Sequence, residues 1–580
     1  MHTKVKLLSI ILSAVMILSI ICAAPITASA TVTASGTFEN ISYKIEDGVL
    51  TVSGTGDTGG SYGQTKPWSE YKSSITKIVV SDGITKISES LFSGLSKVTE
   101  VSLPNSLKEI GKYAFSNDYS LESVTFPESL ETVQMLAFLS CSNLKKINFP
   151  PKCAFGAWAF MNCGFTTLTI PSSFVGTIDS YCFDSNESLR AVSIGSGVNL
   201  NCRGPFVSCD NLRYLMVDND NPYVCDVDNV LYTKDLSKLI FYAPGRDRAS
   251  FTIPNGVKTI GDYSFDGVES LTKLTIPEGV TVIEQSAFGN CTNLTDIDFP
   301  DSLEKIEANA LLNTGWLKNQ PEGLIYIGKI AFNMRGNSPA TVILKSGTKK
   351  IAPDCFSYCS TLKQIVFSDT LGEIGEEAFN KCTQLNNVII PDSVKVIENS
   401  AFYDCDSLTK LKIGKGITKL NPFVFAMCDK LEEVVIPDSV TCIDEFAFHG
   451  DSALKKLTIP ASATDIRYNA FGFLTENNRY VKNTNLTVYG YTGSAAELYC
   501  KNRDIKFVSI GKVPIGDVNG DGSVDVLDAA AVQMNSTGRA GLTNSQLSIA
   551  DVNNDKIVDV LDAAEIQKYA AGIIKEFKKK

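Results

Sequence analysis

From Ile75 to about Leu474 the chain repeats itself every 23 residues, and that period limits the fold more than any other feature. One unit reads L-x-x-[LVI]-x-[LIF]-P-x-x-[LV]-x-x-I-x-x-x-A-F-x-x-C-x-x-L, with clear copies starting at Leu121, Leu271 and Leu431. The phenylalanine marks the register: Phe92, Phe115, Phe138, Phe160, Phe183 and Phe206, then Phe265, Phe288 and Leu311, then Phe356, Phe379, Phe402, Phe425, Phe448 and Phe471. So short a unit buries its apolar residues only by stacking on its neighbours, which predicts a solenoid. Within a unit, L-x-x-V-x-F is a short strand with alternating faces, the proline ends it, and I-x-x-x-A-F turns inward on the opposite wall. The expected fold is a repeat solenoid with one parallel β-sheet, short turns or helices on the other wall, and a cap at each end.

The caps follow from the open apolar edge of a terminal rung. SGTFENISYKIEDGVLTVSGTG (Ser35–Gly56) and KPWSEYKSSITKIVV (Lys66–Val80) precede the first regular rung, and Leu486–Ile510 reads strand–helix–strand at the other end. Two aromatic-rich interruptions, Tyr214–Gly245 and Gly315–Phe332, read as inserted hairpins. Tyr232, Tyr242, Trp316 and Tyr326 there either form a binding site on a rigid scaffold or only cover the local core. The expected boundaries are 31–74 for the first cap, 75–474 for the solenoid with insertions near 213–250 and 312–345, and 475–512 for the second cap.

The repeat also explains the cysteines. Cys141, Cys163, Cys209, Cys291, Cys359, Cys382, Cys405 and Cys428 share one slot, three residues after the phenylalanine. Stacked slots lie about one strand spacing (~4.8 Å) apart, so bridges between neighbours are compatible with the distance. Asp118 and Asp451 fill the same slot in other rungs, so no bridge is required and a buried thiol ladder is the simpler expectation. No CxxC pair points to a metal cluster. The chain has 2 histidines, and past the leader only His449 remains, read as an ordinary loop residue. A His-based nucleophilic triad or zinc site would have to run through that one residue. The expectation is therefore no enzyme, although two carboxylates alone suffice for glycoside hydrolysis. A net charge of −11 and a pI near 5.0 argue against a nucleic-acid partner.

Outward strand positions are mostly polar: Glu100, Ser102, Ser123, Thr125, Lys146, Asn148, Lys273, Thr275, Asp296 and Asp298. From Ile389 to Val435 they become mixed, with Lys410 and Lys412 between apolar neighbours. Such a face either contacts an unknown protein or glycan ligand or is simply solvated.

Chemistry concentrates at the other end of the chain. DVNGDGSVDVLDAAAVQ (Asp517–Gln533) and DVNNDKIVDVLDAAEIQ (Asp551–Gln567) are near-copies offset by 34 residues. Each places oxygen side chains at loop positions 1, 3, 5, 9 and 12, the spacing with which an EF-hand-type loop wraps Ca2+. They are Asp517, Asn519, Asp521, Asp525 and Asp528, then Asp551, Asn553, Asp555, Asp559 and Asp562. Ser523 and Ile557 hold position 7, which contributes a backbone carbonyl. A hard cation takes six to eight oxygens, and four carboxylates per loop repel one another without it, so two calcium ions are expected. Gly522 supplies the sharp turn at position 6, where Lys556 stands in the second loop. If that position needs positive φ, lysine costs roughly 1 kcal/mol and weakens the second site.

These loops lack an entering helix, and each is followed by an apolar run. A calcium loop with only its exiting helix, duplicated, resembles a type I dockerin over about Gly516–Gly572, within an expected domain 513–580. The resemblance implies a small α-helical module that docks onto a cohesin module of a scaffoldin. It also implies that the two residues before the last ligand, Val526–Leu527 and Val560–Leu561, contact the partner. Many dockerins carry Ser-Thr there, so the apolar pairs imply a different cohesin specificity. The repeats, over about Ala34–Val508, resemble the BspA-type leucine-rich-repeat family of bacterial surface proteins, which implies recognition without naming a ligand.

Lys4 and Lys6 before the apolar run Leu7–Ala24, with Ala28-Ser29-Ala30 as a cleavage site, predict a signal peptide over 1–30 and secretion. The run is long for a signal peptide, which leaves an uncleaved anchor as the alternative. The leading functional expectation is a non-catalytic binding subunit of a cellulosome-like complex. The second is an adhesin or structural protein displayed on the cell through the docking module. The third is polysaccharide hydrolysis by association with such complexes.

Overall fold

The computed structural model describes Val32–Phe577 apart from Asn201 and Asp521. The expected leader, its expected cleavage site and Asp521, an expected loop ligand, therefore lie outside the described residues. The chain divides into two compact units, residues 1–229 and 230–580.

In the first unit the entry segment forms three antiparallel strands, Val32–Phe38, Ile41–Glu46 and Val49–Gly54. The last of these pairs in parallel with Lys77–Val80, so the antiparallel cap hands its edge to the first rung. Glu100–Ser102, Ser123–Val124 and Lys146–Ile147 continue that ladder. The opposite wall is not helical. There the I of each rung ends a two-residue strand, as in Glu109–Ile110, Thr132–Val133 and Ala154–Phe155, and these build a second parallel ladder.

The phenylalanines stack inside. Phe115, Phe138 and Phe160 are fully buried, with centroids 5.1 and 5.3 Å apart and rings near parallel, within the range of favourable aromatic pairs. In most rungs the phenylalanine N–H donates to the carbonyl of the residue before the next rung's phenylalanine, as Phe115 to Ala137 at 2.8 Å and Phe160 to Cys182 at 2.9 Å. Two residues before and two after the phenylalanine, the backbone turns left-handed. Tyr113 (φ 54°) with Asn117 (φ 64°), and Trp158 (φ 54°) with Asn162 (φ 56°), are examples.

The second unit repeats the plan. Phe356, Phe379 and Phe402 stack at 5.0 and 4.9 Å. Gly323–Ile327 and Ile330–Arg335 form an antiparallel hairpin whose second strand joins the second-wall ladder at Lys350–Ile351. Val230–Thr233 and Lys238–Tyr242 do the same onto Thr259–Ile260. Tyr232 and Tyr242 are buried. Trp316 packs edge-on to Phe299, and the Tyr326 hydroxyl accepts the Lys345 N–H at 2.9 Å. Tyr232, Tyr242, Trp316 and Tyr326 thus pack locally, whereas Tyr214 and Tyr223 of the first insertion are exposed. After Phe471, a hairpin (Phe473–Glu476 with Arg479–Lys482) precedes the strand–helix–strand of Thr487–Thr492, Ala495–Arg503 and Lys506–Lys512.

The slot cysteines carry no disulfides. Cys141 Sγ–H donates to Phe115 O at 3.1 Å, and Cys291, Cys382 and Cys405 repeat this contact to Phe265, Phe356 and Phe379. Burial raises these thiols, Cys291 to about 12, so at neutral pH they stay protonated. Asn186 fits the same slot through its amide, donating to Phe160 O at 3.0 Å while its oxygen accepts the Cys163 N–H. Asp118 and Asp451 accept the Leu95 and Cys428 N–H groups with one oxygen. The other oxygen of each is buried without a hydrogen-bond partner. Burial holds both carboxyls well above the usual carboxylate range.

Candidate functional site

The two acidic loops fold by one scheme. Asp525 is the N-cap of the helix Val526–Ser536, its carboxylate accepting the Leu527 N–H at 2.7 Å. Asp528, at the third helical position, accepts the Asp525 N–H and, through its other oxygen, the Asn519 N–H, both at 2.8 Å. The second loop repeats each bond. Asp559 accepts from Leu561 at 2.7 Å, and Asp562 accepts from Asp559 at 3.0 Å and from Asn553 at 3.3 Å, ahead of the helix Val560–Ala570. The position-12 carboxylate thus fastens positions 3 and 9 of its loop, and Asp is short enough to reach both. Position 1 closes the tip. Asp517 accepts the Gly522 N–H at 3.1 Å, and Asp551 accepts those of Asp555 and Lys556 at 3.0 and 2.9 Å.

Asp517, Asp528 and Asp562 are fully buried. Asp562 is held above the usual carboxylate range, first by burial and then by the charges of Asp551 and Asp555, against the Asp559 and Asn553 N–H groups that favour ionisation. Among the described residues no lysine or arginine is ion-paired with Asp551, Asp555, Asp559 or Asp562. Nor do three acidic, histidine or cysteine side chains among those residues already converge on one point, since several loop oxygens face backbone N–H groups. Carboxylate and amide oxygens without sulfur or imidazole form a donor set suited to a hard divalent cation.

The halves differ at the tips. Gly520 (φ 75°) and Gly522 (φ 91°) correspond to Asn554 (φ 58°) and Lys556 (φ 72°), so Lys556 does occupy the left-handed region. Gly520 also faces the last rung, where an added Cβ would stand 2.6 Å from the Ala461 backbone.

The exiting helices pack on each other. Their core is a set of equivalents, Val518 with Val552, Ala529 with Ala563 and Val532 with Ile566, plus Ala550. Val526, Leu527, Val560 and Leu561 point away from it and are 62%, 61%, 56% and 59% exposed. A third helix, Asn544–Ala550, closes the module and was not anticipated. Its signal was readable as the capping box Thr543-x-x-Gln546, and Gln546 donates to Val518 O at 3.0 Å.

His449 lies in the turn after Phe448, and it is buried there. Its Nε2 meets Thr475 Oγ1 at 2.8 Å between Phe446 and Tyr480, and burial lowers its pKa. Sequence reasoning also missed aromatic columns at the left-handed positions of the second wall. Trp158 stacks on Tyr181 at 5.0 Å and Phe423 on Phe446 at 4.9 Å, rings parallel. Each stacked pair covers one face of each of its rings.

Among the described residues no helix is long and apolar enough to cross a membrane. No curated protein matches the chain. Among solved structures, a leucine-rich repeat protein from Eubacterium ventriosum is 21% identical, covering 78% of this chain and 100% of that one, at a TM-score of 0.36. One from Bacteroides ovatus is 21% identical, covering 82% and 99%, at a TM-score of 0.28. The pneumococcal vaccine antigen PcpA is 18% identical, covering 83% and 99%, at a TM-score of 0.33. The Dockerin type I domain matches residues 515–571. The BspA type Leucine rich repeat region matches 69–190, 153–226, 234–363 and 349–476, well over half of the chain. The chain belongs to the BspA-type leucine-rich-repeat family and carries a C-terminal type I dockerin.

Proposed function

We propose that the protein is a secreted, non-catalytic binding subunit, held to a cohesin of a cellulosome-like scaffold by its calcium-dependent dockerin, with the solenoid as its recognition element. A dockerin implies calcium and a cohesin partner, and neither repeat nor dockerin is a catalytic type of domain. The observation that carries the reading is the presence of two solvent-facing apolar pairs, Val526–Leu527 and Val560–Leu561, at equivalent places on two packed helices.

Asp517, Asn519, Asp521, Asp525 and Asp528, with the Ser523 carbonyl, would hold one calcium ion. Asp551, Asn553, Asp555, Asp559 and Asp562, with the Ile557 carbonyl, would hold the second. Bound calcium supplies the positive charge that lets these carboxylates stay ionised at close range. Because Asp525 and Asp559 are both loop ligands and helix N-caps, ordering a loop also orders the turn that presents its apolar pair. Residues 513–580 would then act as one docking module.

Calorimetry of the full chain against cohesins of the source organism, in millimolar calcium and in chelator, tests the reading. Binding should require calcium. Val526→Asp with Leu527→Asp should leave substantial affinity, as should the matching pair at 560 and 561, while the quadruple variant loses it. Full binding by the quadruple variant would place recognition elsewhere. Weak salt dependence is expected of an apolar contact.

A further inference from the structure

We propose that the strand face between Asn387 and Ser439 is a docking groove for an extended, acidic polypeptide segment of a partner protein, anchored by apolar side chains. This rests on the reading of the solenoid as the recognition element and specifies its ligand.

The groove encloses about 920 Å³ over Ile389, Lys410, Leu411, Lys412, Ile413 and Val435. It opens where the parallel ladder stops. The strand Lys410–Lys412 is bonded to Asn387–Ile389 on one side of the opening, and Glu433–Val435 to Lys456–Thr458 on the other. On those outer sides the rungs are also joined at their entry, where Thr409 N–H reaches Asn386 O at 3.1 Å and Lys455 N–H reaches Glu432 O at 2.9 Å. Among the described residues no such bond joins Lys410–Lys412 to Glu433–Val435, which belong to separate sheets. Leu411 is accordingly half-buried, whereas Ile365, Val388, Val434 and Leu457 at the same inward position are buried. The two edges stay too close for a further strand to enter between them, so an occupant lies across the strand face, against the outward side chains.

The outward side chains set the chemistry of the occupant. Ile343, Val366, Ile389 and Val435 share one column and are 71%, 40%, 55% and 57% exposed. A run of exposed apolar side chains on an otherwise polar face marks a contact surface. Lys412 interrupts this column and Lys410 lies beside it. Elsewhere on the strand face Lys77, Lys273 and Lys456 are each neutralised by a carboxylate one rung away. Glu433 is taken by Lys456 at 2.6 Å, and among the described residues Lys410 and Lys412 have no ion pair. Lys410 and Lys412, set between apolar anchors and without an ion pair among the described residues, complement a segment with acidic and aliphatic side chains, while Asp392 and Asp438 also line the groove. No aromatic side chain lines the groove, which disfavours a glycan.

Fluorescence anisotropy on the calcium-loaded full chain tests this with three labelled probes: an alternating Asp/Leu peptide, the matching Lys/Leu peptide, and an oligogalacturonate. The Asp/Leu peptide should bind best. Ile389→Ser with Val435→Ser, and separately Lys410→Glu with Lys412→Glu, should each weaken it by about tenfold or more, the loss expected of central contacts. The charge reversal should shift preference to the Lys/Leu peptide, and Lys273→Ala should change nothing. Absence of peptide binding by the wild type, or unchanged binding in both paired variants, overturns the proposal. So does oligogalacturonate binding as tightly as the peptide. Thermal melting and calcium-dependent cohesin binding of the same samples confirm that the variants fold. Loss of cohesin binding with peptide binding intact would count against the docking reading alone.

Discussion

The solenoid and the docking module are both products of duplication, and they use it in opposite ways. A rung meets its neighbour by translation, so each Phe stacks on the next Phe and the core continues for as long as rungs are added. The docking module pairs its two copies face to face, so Val518 meets the same small core as Val552 and growth stops at two. The translated repeat stores its stability in apolar contacts and needs covered ends. Among the described residues the paired repeat has seven buried apolar residues in its core, too few to hold the eight loop carboxylates together without a cation. One part should therefore be indifferent to calcium and the other dependent on it.

Calcium removal is the largest expected effect. In chelator, limited proteolysis of the full chain should cut residues 513–580 and spare the repeats, and millimolar calcium should protect both. Equal protection in the two conditions breaks the contrast. Next come the stacked aromatics. Phe379→Ala and Phe402→Ala should each cost about 3–5 kcal/mol in denaturant titrations, with calcium affinity unchanged. Losses of about 0.5 kcal/mol, the size of surface effects, would show that the column is not the core.

The slot acids sharpen the comparison further. Asp118 and Asp451 have folded-state pKa values above the unfolded value of about 3.9. Their stability contribution is fully present below the unfolded value and is lost as pH rises towards the raised folded value. Asp118→Asn and Asp451→Asn should therefore melt higher than wild type at pH 8, with the gap closing as pH falls towards 4. A gap that stays constant with pH would mean the acids are not ionisation-strained. The smallest effect lies at Lys556. Lys556→Gly relieves a left-handed lysine and should tighten the second calcium site by about 1 kcal/mol, read by calorimetry, while Gly522→Lys should weaken the first.

The rung register and the slot were legible because many copies sample one environment, so Phe and Cys recur where the space is fixed. The left-handed positions were not. Ser90, Tyr113, Glu377 and Phe423 all take positive φ at the same place, and only the ladder imposed by neighbouring rungs fixes that backbone, not the residue. The second-wall ladder escaped notice because a two-residue strand leaves no periodic pattern. Both acidic loops were plain from their oxygen spacing, yet the bonding of Asp528 and Asp562 to positions 3 and 9 depends on a folded tip. The strand-face groove was legible in composition, through Lys410 and Lys412 among apolar residues, but its opening reflects a missing ladder that no residue type encodes.

The buried thiols carry one further consequence. Each Sγ–H that reaches a carbonyl of the preceding rung becomes reactive only when that rung parts from its neighbour, since burial keeps it protonated. Peeling from an end would therefore release thiols in chain order. A thiol-specific mass label, located residue by residue, would mark each slot cysteine whose rung had opened, and its pattern would reveal which end frays first. The chain contains its own ruler for counting how far it has come undone.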